Sequence, residues 1–166
     1  MNLRGNKQKL TVVTAITLLV MVAMLLGNST SQVYAASEPV RVPANVEWVS
    51  TGLSVEEGQT IYLVTNGQVI TATPNIYKGS KSGPEGQLQP WALGCGEYEG
   101  APPPCALDHA PYGALVGRVG PSGEPFLIGG ASSFVAPASG FLYLAVNDNL
   151  GFYSDNLGGF TVLFGK

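Results

Sequence analysis

The sequence predicts an all-β chain: an antiparallel β-sandwich of jelly-roll, galactose-binding-like type with about eight short strands. Two observations carry this expectation. Beyond residue 35 helical periodicity is nearly absent, and short runs rich in Val, Ile, Thr, Tyr and Phe recur instead. Between them stand Gly, Pro and Asn, the residues that tight turns demand. With 22 glycines and 12 prolines in 166 residues, the chain has punctuation enough for many short strands.

Taken in order, residues 36–42 read as a short extended leader. A strand is expected at 46–51. Two further runs, 60–64 and 69–72, flank Asn66-Gly67. Asn-Gly between such runs predicts a hairpin, because a type I′ turn needs φ > 0 at both centres. Residues 74–112 hold seven of the twelve prolines, so they form no central strand. A loop of that length is more often functional than decorative. Strands resume at 114–119, 125–128, 133–135, 140–146 and 159–164. Within these runs Ile61, Leu63, Leu115, Val119, Phe134, Leu142, Leu144, Phe160 and Val162 alternate with their neighbours and read as core. Trp48 joins them. Tyr153 is expected to pack beneath the last loop. Arg118, one cation in an apolar strand, reads as a salt-bridge or interface residue.

The first 35 residues have the form of a secretory signal. Arg4, Lys7 and Lys9 precede the apolar run 10–26, and Val33-Tyr34-Ala35 supplies small residues for cleavage after Ala35. The apolar run is borderline for a span, which needs about 20 residues, so a retained anchor is the alternative and the only route expected to a membrane. Residues 36–166 then form a single exported domain, long enough for a real core. Removing the signal leaves five basic against eleven acidic residues, a net charge of about −6. Nucleic acid is excluded as a partner, because binding it requires Lys and Arg to displace counterions from phosphate. Cations and neutral glycans remain compatible.

Cys95 and Cys105 both lie in the exported part, within one Gly/Pro-rich stretch. An oxidising compartment permits a disulfide between them, closing a short loop. A zinc site is a poor fit, since no Cys-x-x-Cys occurs and His109 is the only histidine.

The densest polar chemistry lies between the last two strands. Asn147, Asp148, Asn149, Asp155 and Asn156 share that loop with Gly151, Gly158 and Gly159. Hard cations such as Ca²⁺ take six to eight oxygen ligands from carboxylates, amides and carbonyls. A glycine-loosened loop can turn its carbonyls inward beside Asp148, Asp155 and Asn156. The same residue types also build plain polar turns.

An ordered set of segments resembles a known family. Gly58-Gln59-Thr60-Ile61-Tyr62-Leu63-Val64-Thr65-Asn66-Gly67 is followed by Gly83-Pro84-Glu85-Gly86 and Gly113-Ala114-Leu115-Val116. The set closes with Asn147-Asp148, Gly151, Tyr153, Asp155-Asn156 and Gly158-Gly159-Phe160-Thr161-Val162. Over residues 46–166 this resembles the small calcium-dependent galactophilic lectins of bacteria, the LecA type. The resemblance implies a small β-sandwich with one Ca²⁺, on which sugar hydroxyls coordinate directly. It implies side-chain ligands at Asp148, Asp155 and Asn156 and a backbone carbonyl ligand at Phe152. A second carbonyl falls within residues 71–77, with Ile76 or Tyr77 expected. The family's sugar-holding His and Gln fall by ungapped count on Pro90 and Leu93, which cannot replace them. Gln87 or Gln89 substitutes if the loop is shifted. Trp91 offers a ring face for a sugar's C–H surface or simply packs the long loop.

The function expected is a secreted, calcium-dependent, carbohydrate-binding domain for a neutral sugar, galactose first. Asp148 and Asp155 serve both ion and sugar. The alternative is a calcium-stabilised structural or adhesion domain that binds no sugar, since fold does not fix function. An enzyme is not expected: the lone His109 has no placed carboxylate to orient it as a base. Lectins of this kind often assemble, and a homo-oligomer is a further expectation.

Overall fold

The computed structural model describes residues 38–71, 81–87, 95 and 104–165. The signal segment, Ile76, Tyr77, Gln89 and Trp91 lie outside the described residues. Nine strands are described: β1 (Val40–Pro43), β2 (Val49–Val55), β3 (Thr60–Ile70), β4 (Lys81–Ser82), β5 (Leu115–Val119), β6 (Phe126–Leu127), β7 (Ser133–Val135), β8 (Gly140–Val146) and β9 (Leu157–Gly165). A single 3₁₀ turn, Tyr153–Asp155, separates β8 from β9.

The strands form two antiparallel sheets, a β-sandwich as expected. One runs β1-β9-β3-β4, with β7 also pairing to β3; the other runs β2-β8-β5-β6. Period-two burial places the inward set between them. Val42, Ile61, Leu63, Val69, Phe160, Val162 and Phe164 come from the first sheet. Val55, Leu115, Val119, Leu142, Leu144 and Val146 come from the second. Phe134, expected in the core, is half-buried against its edge beside Phe126.

Three expectations are corrected. The leader is a strand: Val40 to Pro43 pair with Val162 to Gly159 of β9, and Val42 is fully buried. Four extended residues carry too little alternation to be read as a strand, but β9 offers them an open edge. Part of the irregular segment is also a strand, since Lys81 and Ser82 pair with Ile70 and Val69.

The third correction is the Asn66-Gly67 hairpin, which does not form. β3 runs straight through it, and β9 pairs with it continuously from Tyr62↔Gly165 to Ile70↔Leu157. Only Gly67 has positive φ, at 127°. A type I′ turn needs both residues there. Glycine is required for a different reason: a Cβ at Gly67 would run into the Gly159 carbonyl oxygen. Gly159 is equally confined, since its own Cβ would meet the Val42 oxygen at 2.6 Å. β1, β9 and β3 therefore approach closely at the glycine pair.

The outer face of the second sheet is partly covered. In β5 both Leu115 and Val116 are fully buried. Leu115 faces the sandwich core, whereas Val116 packs with Ala145 under Ala106, Leu107 and Trp48. The segment before β5 thus folds over the sheet and ends beside the loop between β8 and β9.

Candidate functional site

The loop leaving β8 begins at Asn147, which is fully buried. Its carboxamide oxygen accepts the Leu107 N–H at 2.8 Å. Its nitrogen donates to Leu107 O at 3.0 Å and lies 3.2 Å from Ala110 O and 3.3 Å from Pro111 O. Asn147 also exchanges backbone hydrogen bonds with Gly113 and Ala114. A buried amide whose two ends are both matched fixes the covering segment against β8.

The next residues continue the pairing. Ala106 N–H donates to Asp148 O at 3.0 Å, and Leu150 N–H to Pro104 O at 3.0 Å. Cys105 and Asn149 form an isolated antiparallel bridge. The Asn149 side chain accepts from the Tyr112 hydroxyl at 2.9 Å and donates to Cys105 Sγ at 3.2 Å. Cys105 is disulfide-bonded to Cys95, as expected, with Cα atoms 5.9 Å apart. Cys95, Cys105 and Tyr112 form a small buried cluster of their own. The disulfide is thus fastened directly to the loop that holds Asp148.

Asp148 is only 3% exposed. One carboxylate oxygen, Oδ1, accepts the Asn149 N–H at 2.7 Å. The other, Oδ2, is buried with no hydrogen-bond partner among the described residues. Burial pushes the Asp148 carboxyl above its ordinary range, and the nearby charge of Asp155 adds to the rise. The Asn156 side chain and the Asn149 N–H work against it. Asp155 and Asn156 thus both act on the Asp148 carboxyl across the loop.

Their exposures differ. Asn156 is buried, and its amide nitrogen donates to Ala44 O at 3.0 Å, tying the loop to the end of β1. Asp155 is exposed, and the Phe152 side chain is 51% exposed. Tyr153 is buried beneath the loop with its hydroxyl 3.5 Å from Asp148 O. Burial raises its phenol well above the ordinary value, and the negative charges of Asp148 and Glu47 raise it further. It stays neutral.

Gln87 is buried, and its amide nitrogen donates to the Thr71 hydroxyl at 3.1 Å. That bond joins the two segments flanking residues 72–80. His109 is exposed at a left-handed φ of 63°, and its N–H donates to Cys95 O.

The donor set suits a hard cation. Among the described residues no three His, Cys, Asp or Glu side chains gather as a metal-binding group. A cation at this loop would draw on two carboxylates and complete its shell with amide and carbonyl oxygens, the chemistry of Ca²⁺ rather than Zn²⁺. The uncompensated Asp148 Oδ2 fits that role, since a buried carboxylate oxygen without a donor is costly unless a cation meets it.

No family model and no curated protein matches the chain. Among solved structures it is similar to "EclA N-terminal domain; PllA-like lectin", with a TM-score of 0.54 and 22% identity, over 79% of this chain and 98% of that one. The chain has the fold of a lectin domain. At that identity the likeness establishes architecture alone, and the ligand has to be argued from the residues.

Sequence reasoning missed several residues that build the site. Asn147, Asn149, Tyr112 and Ala44 position the loop. The dense Asn-Asp-Asn run hinted at the first two, but not at which side chains turn inward. Trp48 and Arg118 depart in part from expectation. Trp48 is half-buried, packed against the small cluster on the sheet's outer face, and Arg118 makes no salt bridge among the described residues: its guanidinium carbon lies 4.2 Å from the Trp48 ring centroid.

Proposed function

We propose that the chain is a carbohydrate-binding domain in which the loop 147–156 holds Ca²⁺ through Asp148, Asp155 and Asn156. The observation that carries this reading is the buried Asp148 carboxylate, with Oδ2 unmatched and Asp155 beside it. Ca²⁺ would neutralise both carboxylates and offer open positions to vicinal hydroxyls of a neutral sugar, galactose being the first to test. The Phe152 carbonyl and one within residues 71–77, Tyr77 included, complete the proposed protein ligands. Gln89 and Trp91 are retained as proposed sugar contacts. Binding, not catalysis, is the role proposed. The lectin fold and the Cys95–Cys105 disulfide accord with an exported protein. Among the described residues no helix is long and apolar enough to cross a membrane.

One observation favours the second reading, a calcium-stabilised domain without sugar binding. Gln87, a candidate sugar contact, spends its amide nitrogen on Thr71. Calorimetric titration with Ca²⁺, followed by a glycan array with and without chelator, separates the two. Chelator-sensitive glycan binding supports the lectin. Calcium binding with a blank array supports the structural domain, and no calcium binding removes both.

A further inference from the structure

A cavity of about 420 Å³ lies on the outer face of the β2-β8-β5-β6 sheet, clear of the carboxylates assigned to calcium. Trp48 and Arg118 line it, with Glu47, Ser122, Glu124 and Leu150 around them. Arg118 stands opposite Tyr143 across the β5–β8 ladder. Its guanidinium rests on the Trp48 ring and lies 5.6 Å from the Tyr143 ring centroid. Two aromatic faces thus hold a cation in place. Among the described residues that cation makes no salt bridge, although the charge of Glu47 acts on it, and its buried Nε has no hydrogen-bond partner.

We propose that this cavity is a second saccharide site, selective for sugars that carry a carboxylate, such as uronic acids. A guanidinium held flat by an aromatic ring presents its terminal N–H groups as a fixed fork, the geometry that matches a carboxylate in two parallel hydrogen bonds. Glu47 is close enough for its charge to act on Arg118, but it makes no salt bridge with that fork among the described residues. The two acids present are exposed, so water screens their repulsion. Glu47 already accepts the Gly151 N–H at 3.1 Å. Glu124 and Ser122 supply oxygens for sugar hydroxyls, and Leu150 an apolar contact. A ligand with one carboxylate and several hydroxyls answers this set better than a neutral sugar or a bare anion. The site takes its ligand class from the carbohydrate-binding reading but needs no calcium.

The test uses the exported chain in chelator, with ¹⁵N NMR of the Trp48 indole N–H as readout. The probes are glucuronate, galacturonate, their neutral parents and acetate. The uronates should shift the Trp48 resonance saturably. The neutral sugars and acetate should bind at least about tenfold more weakly, the scale of a charge-assisted bidentate pair. Arg118→Gln should weaken uronate binding about tenfold to a hundredfold. Arg118→Lys should recover only part, because an ammonium lacks the fork. Neutral sugars or acetate binding as tightly as the uronates, or no Trp48 shift, overturns the proposal. So does unchanged uronate binding in a folded Arg118→Gln. The wild-type comparison decides even if that variant fails to fold. Loss of calcium-dependent galactose binding with intact uronate binding would sink the calcium reading alone; the reverse pattern would sink this one alone.

Discussion

The Asn147 carboxamide pairs with both backbone groups of Leu107, accepting its N–H at 2.8 Å and donating to its carbonyl at 3.0 Å. A side chain here does what a neighbouring strand would do. It lets an irregular segment lie against β8 without leaving buried polar groups unmatched. It also sets where the chain emerges one residue later, at Asp148.

Asn147→Ala should therefore destabilise the fold by about 3 kcal/mol, because it strips partners from several buried backbone groups at once. Asn147→Asp should be worse at neutral pH, since its charge would face the carbonyls of Leu107, Ala110 and Pro111. Urea unfolding of the three proteins checks the order. An Asp variant as stable as wild type would mean that the donor end of the amide is unimportant.

Asp148 should make stability depend on pH in chelator. Its folded carboxyl is raised above the ordinary value of 3.8, so the folded state holds this proton more tightly than the unfolded chain does. Its contribution is complete below 3.8 and is lost as pH rises through the higher folded value. Thermal melts across that window should show this decline in the wild type and a flatter profile in Asp148→Asn. The Asn variant keeps an acceptor for the Asn149 N–H and sheds the buried charge. At pH 7 in chelator it should melt no lower than wild type.

Calcium should reverse that ranking. An ion that binds only the folded state raises stability by about 2.7 kcal/mol at a hundredfold excess over its dissociation constant. Wild type should gain in melting temperature with Ca²⁺, and Asp148→Asn should gain little. Equal gains in both would remove Asp148 from the ligand set.

Reduction of Cys95–Cys105 should cost about 2–4 kcal/mol, the usual contribution of a short-loop disulfide. The effect should also be local. Cys105 bridges to Asn149, so amide exchange at Asn149 and Leu150 should accelerate more than exchange in β3 or β9. Hydrogen-exchange mass spectrometry with and without reductant measures this. Uniform acceleration would show that the disulfide acts only on global stability.

Gly67→Ala should destabilise by about 2–3 kcal/mol although the site is an open-looking strand position. The added methyl meets the Gly159 carbonyl, which is backbone and cannot move without opening the β3–β9 ladder. A change under about 0.5 kcal/mol, the range of ordinary surface substitutions, would contradict the close approach described here.

These cases also show what the sequence could reveal. The alternation of Ile61 and Leu63, or of Leu142 and Leu144, is a local signal and marked the buried face correctly. The polar residues of the last loop were legible because Asp, Asn and Gly seldom crowd together without a turn or a ligand. Asn66-Gly67 misled because the local turn preference lost to nine paired positions with β9, a partner some 90 residues away in sequence. β1 was missed for the same reason, since its strand character exists only once β9 is beside it. Arg118 looked like half of a salt bridge because its aromatic partner lies on another strand's flank, a distance no local pattern encodes.

β9 follows every other described strand in the chain, yet it sits between β1 and β3 in the middle of its sheet. That order has a consequence for synthesis. Until Leu157–Gly165 has emerged, β1 has no neighbour, and the long edge of β3 is open. Phe160, Val162 and Phe164 are missing from the core as well. Without β9 the first sheet lacks its central member and the core lacks three of its side chains, so the sandwich should close only once that strand is in place.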